Sequence, residues 1–213
     1  MKYLQKSLIL FLFSFVALHA QAQEAPKTYS HDIGFNAIVF QNFFGSGSAP
    51  FTILYKKYSS ENKATRLGLS TSLNFQSAKA TPSNVSYTTN NNASVSLIIG
   101  KESQQVISER WVWFFGGDLI PNFSYSKFDQ FDPTNSDTPL NTVISYGLDI
   151  RPFLGLRFNI NPRLYIATEF SGILGYRHTD RKIKFPTQTN ELNTDDLNLS
   201  LVPASALFLF YRF

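Results

Sequence analysis

The sequence predicts an all-β protein, an eight-stranded antiparallel up-and-down transmembrane β-barrel. Three observations carry that reading. Apolar residues recur at every second position through eight segments, the connections between segments alternate between short and long, and aromatic residues gather near the segment ends. Period two puts successive side chains on opposite faces of a strand, whereas a helix would scatter the same residues around its axis.

The first 22 residues precede the pattern. Lys2 and Lys6 come before the apolar run SLILFLFSFVAL, and Ala20, Gln21 and Ala22 form a small-x-small cleavage site. This is the layout of a secretory signal, cleaved after Ala22, because the apolar run falls short of the ~20 residues a membrane helix needs. Residues 23–213 then form a single outer-membrane barrel domain. Cleavage removes two of the 19 basic residues and none of the 15 acidic ones, leaving 17 against 15, or +2. So balanced a chain does not suit a nucleic-acid partner. Cysteine is absent, which excludes disulfides and Cys-ligated zinc. An exported chain with 21 Phe and 10 Tyr, whose mature part has no apolar stretch of helix-spanning length, has two main destinations: a soluble β fold or an outer-membrane barrel.

The strands read, in order, as about 33–43, 51–58, 67–75, 93–101, 109–126, 144–158, 164–177 and 195–213. In LGLSTSLNF, Leu67, Leu69, Thr71, Leu73 and Phe75 share one face, while Gly68, Ser70, Ser72 and Asn74 share the other. In ISYGLDIRPFLGLRF, Ile144, Tyr146, Leu148, Ile150, Leu154, Leu156 and Phe158 face one way and Ser145, Gly147, Asp149, Arg151 and Arg157 the other. Most of these segments are long for a globular sheet and match the ~9 to 11 residues of a tilted membrane strand. A soluble barrel would bury its apolar face and wet its outside, and eight such strands would then need a very large core.

The connections SSENK, SQQVIS and NINPR are short, whereas 78–92, 127–141 and 178–194 are longer and rich in Asn, Thr, Ser, Asp and Pro. Alternate connections of an up-and-down barrel lie on opposite rims, so the short ones are expected at the periplasmic rim with both termini, and the long ones as external loops. The first outer connection, GSGSAP, is the short exception. Trp111, Trp113, Phe158, Tyr211 and Phe213 fall near the expected periplasmic ends, and Phe43, Phe75, Phe123, Tyr125 and Tyr176 near the outer ends, as two aromatic girdles would.

The chain ends in SALFLFYRF, in which Leu207, Leu209, Tyr211 and Phe213 share one face. A terminal aromatic preceded by apolar residues at every second position resembles the C-terminal signature of outer-membrane proteins, and the mature chain resembles small barrels of the OmpA/OmpX type. The resemblance implies residence in the bacterial outer membrane, contact with its lipid and lipopolysaccharide, and reading of this strand by the barrel-assembly machinery. It is a resemblance of pattern, so it bears on fold and location more than on activity.

An eight-stranded barrel is just wide enough for side chains to fill it. Inward parity selects Asp118, Asp149, Arg151, Arg157 and Glu169 as that filling, with Gly116, Gly147 and Gly155 leaving room. Pairing the fifth and sixth strands about their loop sets Asp118 beside Asp149, with Arg151 one diagonal step away. Paired carboxylates can serve acid/base work, but buried charges pair chiefly because isolated ones are costly, so an ion-pair network is the expected role. His31 lies near the inner rim and His178 near the outer one, too far apart to share a metal. His178 with Asp180, and Ser200 on the last strand, resembles the rim histidine and serine of lipid-A acyltransferases and deacylases. DQFDPTNSD offers Asp129, Asp132 and Asp137 without the order of a calcium loop. Neither a metal nor a cofactor is expected.

Three functions follow: a structural or surface-interaction barrel that meets extracellular ligands through its loops, a porin-like narrow channel for small solutes or ions, and a lipid-modifying enzyme. The first is the expected one, without catalytic residues.

Overall fold

A computed structural model describes residues 29–36, 51–79, 87–131, 140–185 and 187–213. They form eight strands: β1 His31–Asn36, β2 Phe51–Ser60, β3 Lys63–Lys79, β4 Tyr87–Val106, β5 Trp111–Phe131, β6 Leu140–Asn159, β7 Leu164–Lys184 and β8 Thr189–Arg212. Each strand pairs antiparallel with the next, and β8 pairs back onto β1, so the sheet closes into a barrel. Residues 1–22, Phe43, the GSGSAP connection, Asp132 and Asp137 lie outside the described residues.

Parity sorts the wall into two faces. On β6, Ile144, Tyr146, Leu148, Ile150 and Leu154 are exposed on the outside, while Ser145, Phe153 and Arg157 are buried inside. β5 repeats this with Trp111, Trp113, Phe115, Leu119 and Phe123 outside and Val112, Phe114, Asp118 and Ile120 inside. The barrel is therefore greasy outward and partly charged inward, the inverse of a soluble domain.

The connections on one rim are tight. β2 turns into β3 at Glu61 and Asn62, β4 into β5 over 107–110, and β6 into β7 over 160–163, with Tyr29 and Phe213 at the same rim. The other rim differs from the expectation of long loops. β3 and β4 stay paired up to Lys79 and Tyr87, β5 and β6 up to Asp129 and Leu140, and β7 and β8 up to Lys184 and Thr189. Most of what reads as polar loop is strand. Above the apolar band both faces of a hairpin meet water, so the apolar alternation disappears while the backbone ladder continues.

Glycines on the inner face make room for bulky partners directly across the ladder. Gly34 pairs with Phe210, Gly155 with Phe114 and Gly116 with Phe153, and in each case an added Cβ would collide with the partner's ring. Those rings, with Leu54, Ile98, Ile120, Tyr165, Ala167 and Phe208, make the apolar part of the filling. The ladder is irregular near Pro203. β8 carries Pro203 to Ser205 opposite Phe170 alone, the position of a bulge and one where a missing N–H is tolerated.

Candidate functional site

The densest chemistry sits inside the half of the barrel nearest the tight turns. Arg66 projects inward from β3 and is fully buried, with 0% of its surface exposed. Its Nη1 lies 3.0 Å from Glu102 Oε2 and 2.9 Å from Glu169 Oε1, and its Nε lies 3.3 Å from Asp118 Oδ1. One guanidinium thus meets three carboxylates from β4, β5 and β7. Lys56 on β2 adds a second cation, 2.7 Å from Glu102 Oε2. Arg151 approaches Asp118 Oδ2 at 2.7 Å from the more open side.

Aromatic rings fill the spaces between these charges. Arg66 lies over Phe153 at 3.9 Å, and Lys56 sits 4.5 Å from the Phe210 ring centroid and 4.8 Å from that of Phe114. Cations over ring faces gain from the ring quadrupole where water is absent. A second polar layer lies closer to the turns. Asp32 accepts hydrogen bonds from the Tyr58 and Tyr165 hydroxyls at 2.7 and 2.6 Å and faces Arg212 at 3.5 Å. Gln104 donates to Tyr58 Oη and Glu102 Oε1 and accepts from Arg157 Nη1, joining the two layers.

Of the residues that parity selects, Asp118, Arg151 and Glu169 meet in this network through Arg66 or directly. Asp149 does not join them: Asn122 Nδ2 donates to its Oδ2 at 3.1 Å, further along the lumen. The expected pairing of Asp118 with Asp149 is corrected by two residues, since Asp118 faces Arg151 and Asp149 faces Ile120. The loop's middle does not choose between these two registers: opposing Asp118 with 149 or with 151 keeps both side chains inward and centres the hairpin about equally well on 127–141. Arg157 is buried but reaches no carboxylate among the described residues; it donates to Gln104 and lies over Tyr165.

The residues at the centre, Lys56, Arg66, Glu102 and Asp32, escape the sequence reading for a simple reason. Arg66, Glu102 and Asp32 each fall one residue beyond the strand ends read from the apolar face, where an inward charge carries no apolar signal. Lys56 lies within its strand on the inward parity of Leu54, and could have been found there.

At the outer end of β7, His178 faces outward, one step above Tyr176 and Leu197, the last outward apolar pair of β7 and β8. Its Nδ1 lies 2.7 Å from Asp195 Oδ1 and its Nε2 3.2 Å from Asp180 Oδ1. The hydrogen bond with Asp195, with Asp180 assisting, raises the imidazole pKa above its ordinary value. The Tyr176 hydroxyl also donates to Asp195 and, with His178, lowers that carboxyl's pKa. Ser200 pairs with Ile173 on the opposite parity, so the chain does not assemble it with His178. Asp129 continues β5 opposite Leu140. No group of His, Asp and Glu able to hold a metal occurs among the described residues. At the other rim, the His31 ring bonds Tyr55 Oη at 2.6 Å and stacks on Phe213.

The girdle candidates Trp111, Trp113 and Tyr176 are exposed on the outer face, and Tyr125 is half-buried there. Trp111 packs against Phe158 with centroids 4.8 Å apart. Leu207, Leu209, Tyr211 and Phe213 share the outer face of β8, with Phe208 and Phe210 turned inward.

Neither a protein-family profile nor a curated protein matches the chain. Among solved structures it is similar to the crystal structure of a major outer membrane protein from Thermus thermophilus, at 14% identity, covering 87% of this chain and 98% of that one, with a TM-score of 0.42.

Proposed function

We propose that this chain is an integral outer-membrane barrel whose lumen is stoppered by the Arg66 network and whose protruding hairpins serve as a surface-interaction platform. The observation that carries the reading is the inverted wall, apolar outside and ion-paired inside. Outward apolar positions run along β6 from Ile144 to Phe158. Fourteen residue steps at ~3.3 Å and a ~40° tilt give about 35 Å, enough for a ~25 Å apolar band and both girdles. In this reading, membrane lipid and lipopolysaccharide surround the belt, and the Leu207, Leu209, Tyr211 and Phe213 face is what the assembly machinery reads. An extracellular ligand would meet the polar hairpins of β3–β4, β5–β6 and β7–β8, which rise past the belt on a rigid wall.

Two features favour this over the alternatives. A channel needs a continuous wet path, and the fully buried Arg66, Lys56 and Glu102 side chains lie across the lumen, which supports a stoppered one. A lipid-modifying enzyme needs a free base, and both ring nitrogens of His178 already engage carboxylates. The test is location and exposure together. Expressed with its leader, the protein should fractionate with outer membranes, migrate anomalously on gels until heated, and lose its hairpin tips to protease on intact cells. Recovery in a soluble fraction would overturn the membrane reading, and full protease resistance of the tips would overturn the platform.

A further inference from the structure

At the tight-turn rim the lumen opens into a recess of about 460 Å³, lined by Tyr29, Ser30, Tyr58, Ser60, Arg157 and Arg212, with Glu61 at its lip. We propose that this recess binds a phosphate group, carried either by a free small molecule or by a lipid head group.

Charge balance comes first. The lumen-facing cations of this half are Lys56, Arg66, Arg151, Arg157 and Arg212; the lumen-facing carboxylates are Asp32, Glu102, Asp118 and Glu169. Every cation but Arg157 has a carboxylate within ion-pair distance among the described residues. Asp149 lies eight residues along the same strand and cannot reach it. Arg157 is only 7% exposed, and a buried charge without a counter-charge is costly.

Donor geometry comes second. Arg157 gives Nη1 to Gln104 and its Nε is enclosed without a partner, which leaves Nη2, without a hydrogen bond among the described residues, as the donor for the recess that Arg157 lines. Tyr29 lines the recess while its hydroxyl accepts from Arg163 Nε at the rim, and Ser30 and Ser60 add hydroxyls at the wall. A tetrahedral oxyanion can accept from a guanidinium and several hydroxyls at once, which a two-oxygen carboxylate does less well. The volume falls within the range of small-molecule sites. Glu61 is the one carboxylate lining the recess, and it opposes an anion there. Under the outer-membrane reading above, this site faces the periplasm.

The test is calorimetric titration of the refolded protein in lipid-free detergent with inorganic phosphate and with glycerol 3-phosphate. Because it uses refolded barrel, its outcome is independent of where the barrel resides. Saturable binding is expected, weakened roughly tenfold or more in Arg157→Gln and strengthened in the exposed-turn variant Glu61→Gln. Nanodiscs then assign the source at an ionic strength that screens lipid charge: lower glycerol phosphate affinity in phosphatidylglycerol nanodiscs than in lipid-free detergent marks a lipid head group, and equal affinity marks a soluble ligand. No saturable binding in the wild type overturns the proposal. So does unchanged affinity in Glu61→Gln, whether or not Arg157→Gln folds.

Discussion

Gly34 of β1 sits directly across the closing seam from Phe210 of β8, and the phenyl ring occupies the space that any side chain at residue 34 would need. The barrel closes because one strand yields its inner face to the ring of another. Replacing Gly34 or Gly155 with Val should destabilise the fold by about 1–3 kcal/mol, since the rings that must move, Phe210 and Phe114, are buried. Gly117, where an added Cβ meets nothing within 4 Å, is the control. Denaturant midpoints check this, and an equal loss in Gly117→Val would contradict it.

The lumen charges make a second, ranked prediction. Arg66→Met strips the shared partner from Glu102, Asp118 and Glu169 and should cost about 3–5 kcal/mol, the range for breaking a buried pair by removing one member. Arg151→Met should cost distinctly less, because Asp118 keeps Arg66 and the Arg151 side chain is partly exposed. Equal costs would show that Arg66 does not hold the network together.

The barrel class, the number of strands and the inside-outside assignment were legible because they depend on period two, which the apolar face displays through β5 and β6. The centre of the plug was less so. Arg66 stands one residue before the first apolar marker of its strand and Glu102 three past the last of its own, Ile99, and an inward charge near a turn looks like a turn residue. The pairing of Asp118 with Arg151 depends on register, which the loop alone does not set when the strands run on into it. The hairpin extensions were hidden for the same reason: TTNNN in β4 is paired strand, yet carries no apolar alternation.

Phe213 bears on closure. Its N–H donates to His31 O at 2.9 Å, His31 N–H donates to its carbonyl at 3.2 Å, and its ring stacks on His31. The described β1–β8 ladder has five residue pairs, so loss of this end matters more than on a longer seam. Deleting Phe213 should lower the refolded fraction seen by gel mobility while leaving the unfolding order of Arg66 and Arg151 variants unchanged. An unaltered folded fraction would count against a role in closure.

His178 supplies a pH signature at the outer rim. With its folded pKa raised, protonation favours the folded hairpin: that stabilisation is fully present below the ordinary 6.5 and is lost as pH rises through the raised value. Asp195, lowered from 3.8, contributes above that value and loses its contribution as pH falls through the lowered one. An NMR titration of His178 should give a midpoint above 6.5 that moves down in Asp195→Asn. A midpoint at or below 6.5 in the wild type would remove the carboxylate clamp from the account.

The proposed function rests on the stoppered lumen, which single-channel recording probes. Refolded wild-type protein inserted into a planar bilayer should show no discrete conductance steps under the proposal that Arg66, Lys56 and their carboxylates stopper the lumen. Reproducible openings of defined size, with insertion verified by the heat-dependent gel shift, would contradict it.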